Sequence, residues 1–292
     1  MTDRPALADY LSLRPETLKR GPLAMILCED LAAIPATLDH ALARGFRHIL
    51  ALSPEPLDLP PHLRDEARIT NLIHDTRRPD AHVPAVNALI EAVPAGTWLH
   101  YGFNAEFLFY PFCETRSVGE LLAFHAEERR DAMLAYVIDL YAADLSAHPD
   151  AVDLERAMFD RSGYFALGRR KPGGDDYEDR QLNFHGGLRW RFEEHIPPDR
   201  RRIDRIALFR AEKGLRVTPD HRFSDAEYNT HSCPWHHNLT SAVASFRVAK
   251  ALTRNPISRD CIDSFLWRNS TGFDWKGQQL MDLGLMEPGQ WF

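Results

Sequence analysis

Gly96-Thr-Trp-Leu-His-Tyr-Gly-Phe-Asn-Ala-Glu-Phe-Leu-Phe-Tyr-Pro111 is the stretch on which the reading of the fold turns. Trp98 to Phe103 reads as a buried strand, Asn104-Ala105-Glu106 as a turn carrying a carboxylate, and Phe107 to Tyr110 as a second apolar run. An acid at that position matters because open α/β sheets bind ligands outside the carboxyl ends of their strands. The competing reading of the same residues is a strand, a bend and a merely solvated Glu106.

Upstream, Met25-Ile-Leu-Cys-Glu-Asp30 closes an apolar strand, predicted over 22–28, on the carboxylates of Glu29 and Asp30. Leu31, Ile34, Leu38 and Leu42 recur at helical spacing and predict a helix over 31–44. Strands follow near 46–53 and 68–74. Pro84 stands where a first helical turn tolerates it, ahead of an apolar face of Val86, Leu89, Ile90 and Val93. Ser117-Val-Gly-Glu120 is a capping box, and Met133 to Tyr141 reads as a further buried strand ending beside Asp139. This alternation predicts an α/β fold, Rossmann-like, with a mainly parallel central sheet, helices on both faces, and residues 22–28 in its middle.

The expected organisation is a polar lead-in over 1–20, a first half over 21–141 and a second half over 142–292, within one continuous domain. In the second half Lys171-Pro-Gly-Gly-Asp-Asp176 reads as a polar loop. Val243, Phe246, Ala249 and Leu252 predict a helix near 240–253, and the apolar tail over 284–292 is expected to dock on the body.

A chain of 292 residues with 44% hydrophobic and 26% charged side chains can bury a large core. A formal charge of −7 offers no basic field for nucleic acid. MTDRPALADYLSLRPETLKR at the start has no apolar signal core, and no run reaches the ~20 apolar residues of a membrane span. Cys28, Cys113, Cys233 and Cys261 fall in no paired spacing. A cytoplasmic protein without disulfides is the expectation.

The order strand, Cys28-Glu29-Asp30, helix, His40…Gly45-Phe46, strand, and then Trp98-Leu99…Glu106-Phe107-Leu108 resembles short bacterial family 2 glycosyltransferases of the GT-A fold. The resemblance covers roughly residues 20–110, and 180–250 more loosely. It implies a nucleotide-sugar donor, a glycan or other acceptor, and an acceptor-side region in the second half. In that family the first strand usually ends in Asn-Glu, and a later one in Asp-x-Asp-Glu-Phe-Leu, the metal and sugar-nucleotide site. Here Cys28 replaces the asparagine, Phe103 and Ala105 stand where the two aspartates belong, and the Asp-rich turn after the second strand is reduced to Ser53-Pro-Glu55. Glu29 and Glu106 carry over; the metal-binding aspartates do not. Binding of manganese or magnesium is therefore expected to be weak or absent, with Glu106 and His237 as the residues left to hold an ion.

Donor-binding candidates at the first half's carboxyl edge are Glu29, Asp30, Asn104 and Glu106. Arg189 and Arg191, in His185-Gly-Gly-Leu-Arg-Trp-Arg-Phe-Glu-Glu-His195, point the same way if that segment is extended, and their guanidinium forks suit a diphosphate. A structural hairpin with exposed arginines is the other reading of that stretch. Arg200-Arg-Arg202 reads as a solvated patch. In His231-Ser-Cys-Pro-Trp-His-His237, the resemblance implies a metal or diphosphate role for His237, with His236 as the fallback. A zinc site from His231, Cys233, His236 and His237 is disfavoured because the four crowd within seven residues. Asp139, Asp160, Glu193 and Glu194 are the candidate general bases, Asp160 and Glu193 being assigned the catalytic role. The leading expectation is transfer of a sugar from a nucleotide sugar. The alternative is a catalytically inactive GT-A-fold protein that binds or regulates. A zinc hydrolase is disfavoured by the absence of a His-Glu-x-x-His pair.

Overall fold

The computed structural model describes residues 4–232 and 238–291. In chain order they form α1 (Leu7–Ser12), β1 (Leu23–Leu27), α2 (Ile34–Ala43), β2 (His48–Ser53), α3 (Pro61–Arg64), β3 (Ile69–Ile73), α4 (His82–Ala92) and β4 (Trp98–Phe103). Then come β5 (Glu106–Phe109), α5 (Val118–Glu127), β6 (Ala132–Tyr141), β7 (Met158–Asp160), β8 (Phe165–Arg170) and β9 (Tyr177–His185). The remainder is α6 (Gly187–Arg191), β10 (Asp204–Arg210), β11 (Ser241–Ser245), α7 (Arg247–Arg254), α8 (Pro256–Arg259), β12 (Ser270–Gly272) and α9 (Gly277–Asp282).

Two compact units share these elements. The first comprises Met1–Ala105, Arg116–Met133 and Ile206–Asn229, and the second Glu106–Thr115, Leu134–Arg205 and Thr230–Phe292. The chain leaves the first unit after Ala105 and returns to it twice, over 116–133 and 206–229.

In the first unit β1 lies between β2 and β4, parallel to both, and β3 extends the parallel set beyond β2. Leu27 pairs with Leu52 on one side and Phe103 on the other. All five residues of β1 are buried. A parallel strand covered on both faces reads as a continuous apolar run, which is why Leu-Ala-Met-Ile-Leu shows no alternation. Residues 208–210 of β10 add an antiparallel strand beside β4. The expected mixed α/β fold, mainly parallel with residues 22–28 inside, thus holds for this unit.

The helix boundaries follow local chemistry. α2 ends where Gly45, at φ 89°, donates to the Leu42 carbonyl while Phe46 donates to Ala41. That pair of bonds is the Schellman arrangement, and its positive φ suits glycine. α5 opens on the expected capping box: Ser117 Oγ accepts from Glu120 N at 3.3 Å, and Glu120 Oε2 accepts from Ser117 N at 2.7 Å. Pro84 sits in the first turn of α4.

In the second unit β6 is flanked by β11, parallel to it, and by β7, antiparallel. β11 pairs in turn with β5, and β7 with β12, both antiparallel. β8 and β9 form a separate two-stranded hairpin, with residues 171–176 at its tip. The tail packs down through Met286 and Trp291, both buried.

Two expectations are corrected here. Residues 241–245 form strand β11, and the helix expected over 240–253 begins only at Arg247. Ser241-Ala-Val-Ala-Ser245 gains a strand neighbour on each side, and that pairing outweighs the helical spacing of Val243, Phe246 and Ala249. Second, Arg189 and Arg191 lie on a helical turn, not an extended segment. Gly186 and Gly187 both take positive φ (153° and 60°) and turn the chain there.

Candidate functional site

The first unit places its polar residues where the topology predicts a crevice. The chain leaves β1 for β2 on one side, while β4 lies on the other, so the carboxyl ends of β1 and β4 form a switch point. The loop after β1 is tied there by Asn104, whose side chain is fully buried. Its Oδ1 accepts from Glu29 N at 2.9 Å, and its Nδ2 donates to Asp30 Oδ1 at 2.6 Å and to the Ala32 carbonyl at 2.9 Å. Asp30 Oδ1 also accepts from Ala32 N at 2.9 Å. Asn104 is thereby used to shape the loop, and Glu29 and Asp30 remain half-exposed on it.

The turn after β4 is held the same way. Ala105, at φ 59°, donates to Thr37 Oγ1 at 2.9 Å. The segment after β3 crosses back to β1, where Thr76 Oγ1 donates to the Cys28 carbonyl at 2.5 Å. Arg77 and Arg78 follow immediately and are exposed. Arg77 Nη1 lies 3.3 Å from Glu55 Oε1, whereas Arg78 forms no side-chain hydrogen bond or ion pair among the described residues. The edge therefore offers carboxylate acceptors on the β1 loop and cations one and two residues beyond Thr76.

Glu106 belongs to the second unit. There β5, β11 and β6 align Glu106, Ser245 and Asp139 in one cross-strand row. Residues directly opposite one another share a sheet face. Ser245 Oγ donates to Glu106 Oε1 at 3.0 Å, and Arg205 reaches both carboxylate oxygens, at 2.7 and 3.4 Å. Both members of this ion pair are buried. Asp139 Oδ2 accepts from Arg189 N at 3.3 Å. Its Oδ1 faces Arg189 Nε at 3.5 Å and takes no hydrogen bond among the described residues. Burial pushes the Asp139 carboxyl up to about 6; the Arg189 guanidinium pulls it back only in part, and Asp160 adds to the push. Arg189 Nη1 also donates to the Arg202 carbonyl at 2.6 Å.

Asp160, at the end of β7, is a buried anchor. It accepts from Tyr141 Oη at 2.5 Å, Trp267 Nε1 at 2.7 Å and Arg191 Nη1 at 3.1 Å. The Arg191 guanidinium stands 4.7 Å over the Trp267 ring and donates to the Phe265 carbonyl. All three donors converge on Oδ1, so the carboxylate ties β6, β7, α6 and the Trp267 loop together. Glu193 lies in a 3-10 turn, exposed, with Arg201 Nη1 at 3.3 Å from its Oε2. His236 and His237, with Cys233, lie outside the described residues. Among the described residues no group of three or more His, Cys, Asp or Glu could hold a metal ion.

The donor-binding candidates thus divide: Glu29, Asp30 and Asn104 meet at the first unit's switch point, while Glu106, Arg189 and Arg191 are spent on buried pairs in the second. Sequence reasoning missed Arg205, Ser245 and Arg78. Arg205 had a visible signal, an arginine directly ahead of the apolar run Ile206 to Phe209, since a buried guanidinium requires a counter-charge.

Gly187 shows how tightly the Asp139 site is built. A Cβ there would lie 2.9 Å from Asp139 Oδ2, on a backbone at φ 60°. Gly187→Ala is expected to lower the unfolding free energy by about 1–3 kcal/mol. A urea-unfolding midpoint equal to that of the unaltered protein would show that the turn has room to spare.

No family model and no curated protein matches this chain. Among the described residues no helix is long and apolar enough to cross a membrane.

Proposed function

We propose that this chain is a glycosyltransferase-like protein of GT-A type that binds a nucleotide sugar at the β1/β4 switch point without a metal centre. The observation that carries the reading is the Asp30–Asn104 junction at the carboxyl ends of two adjacent parallel strands. Half-exposed Glu29 and Asp30 supply acceptors for the N–H groups of a base and the hydroxyls of a ribose. A leaving diphosphate must shed charge, and Phe103 and Ala105 provide no ligand for a cation. Arg77 and Arg78, brought to the edge by Thr76, supply positive charge instead.

The test is a thermal-shift and calorimetric series with UDP-, GDP- and CMP-sugars, with and without manganese. A bound nucleotide sugar at 100-fold its Kd should stabilise by ~2.7 kcal/mol. Manganese should leave that shift unchanged, and Arg78→Ala should raise the Kd about tenfold, as expected for one charge-assisted phosphate contact. No shift with any of the three nucleotide classes, or a shift that requires manganese, would sink the proposal.

A second reading, recognition without sugar transfer, is favoured by the arginine partners of Glu106, Asp139 and Asp160. Nucleotide binding without release of free nucleotide across an acceptor panel would support it.

A further inference from the structure

The second unit contains a cleft of about 200 Å³ that none of the preceding chemistry uses. Among the described residues, the rings of Tyr136, Tyr164, Phe165 and Phe184 line it. Three are held by ring contacts within the fold. Tyr136 packs on Phe184 with centroids 4.8 Å apart, and Phe165 stacks on His185 at 5.2 Å. Tyr164 is fixed by its hydroxyl, which donates to the Asp160 carbonyl at 2.8 Å, leaving its ring as the lining surface. Gly186 runs flat against that ring; a Cβ there would meet Tyr164 Cδ1 at 2.2 Å.

Glu287 contributes the cleft's formal charge. Its backbone is pinned to Thr240, N–H to Oγ1 at 2.9 Å and carbonyl to N–H at 3.0 Å. Among the described residues its half-buried carboxylate has no hydrogen bond or ion pair. It stands close enough to Tyr136 to act on the phenol electrostatically. Among the described residues no lysine or arginine lines the cleft, and burial lowers the pKa of His185, with Arg202 pushing the same way and Asp204 opposing. His185 is therefore neutral near pH 7.

We propose that this cleft binds a small organic cation, an amine or quaternary ammonium on a compact apolar body. The negative faces of aromatic rings attract a cation, and a nearby carboxylate adds to that attraction where water is partly excluded. Size agrees: a cavity of roughly 150 Å³ accepts benzene, so this cleft admits a body of trimethylammonium dimensions with a short tail. The proposal concerns the second unit alone and stands whether or not the first binds nucleotides.

The test uses the full chain and two isosteric probes, choline and its uncharged analogue 3,3-dimethylbutan-1-ol, titrated by calorimetry and by NMR of the aromatic side chains. Choline should bind at least about tenfold more tightly than the alcohol. Glu287→Gln should remove most of that difference, and Phe165→Ala should weaken choline severalfold; circular dichroism would confirm that each variant is folded. Should either variant misfold, the choline-to-alcohol ratio on the unaltered chain still decides. Equal affinity for the alcohol, equal affinity for a neutral methyl glucoside, or no choline binding at millimolar concentration would each overturn the assignment.

Discussion

Replacing Arg205 with methionine is expected to destabilise the protein by about 3–5 kcal/mol, because it leaves the Glu106 carboxylate buried without its guanidinium. The two side chains are 4% and 3% exposed, and Arg205 grips both oxygens of the acid. Such a pair is costly to break singly, yet near neutral to replace whole by apolar groups of similar volume. Glu106→Leu combined with Arg205→Met should therefore recover most of the loss. A double-mutant cycle on urea-unfolding free energies should give a coupling of about 2 kcal/mol or more. Additive losses would mean that the pair is not a coupled unit, which would return Glu106 to the list of groups able to serve a ligand.

That outcome bears on how the sequence reports its site. The first unit was legible because its signals are local. Fully buried parallel strands read as unbroken apolar runs, and Gly45 and the Ser117–Glu120 box mark helix ends within a few residues of the helices they bound. Glu29, Asp30 and Asn104 could be placed at a sheet edge because each closes such a run. The second unit carries its information across the chain. Glu106 meets Arg205 over 99 positions and Trp267 meets Asp160 over 107, separations at which no periodicity or motif speaks. The turn of Arg189 and Arg191 away from an extended path was half visible: Gly186-Gly187 announces freedom of backbone, but the direction taken depends on Asp139 waiting to accept the Arg189 amide. β11 shows the same limit, since small residues at helical spacing became a strand once β5 and β6 were there to pair with them.

Two buried titratable groups should give the units opposite responses to acid. Burial raises Asp139 from 3.8 to about 6. The folded state then holds a proton that the unfolded chain has released, so the stabilisation is complete below pH 3.8 and is lost as pH rises through about 6. In the first unit burial lowers His125 from 6.5 to about 4, against the partial pull of its 2.9 Å hydrogen bond to the Ala132 carbonyl. Here the unfolded chain binds the proton, so the stabilisation is present above pH 6.5 and is lost as pH falls through about 4. At 1.36 kcal/mol per unit, each effect amounts to about 3 kcal/mol across nearly the same window. If the units unfold in one transition, the two slopes largely cancel, and Asp139→Asn should expose a stability that climbs from pH 4 to pH 6. His125→Gln, which keeps a donor for the Ala132 carbonyl, should expose the reverse. If the units unfold separately, two transitions of opposite pH slope should appear, each flattened by its own substitution. Urea unfolding at intervals between pH 4 and 7 checks both arms. Variant curves that run parallel to that of the unaltered protein would show that neither group changes its proton affinity on folding.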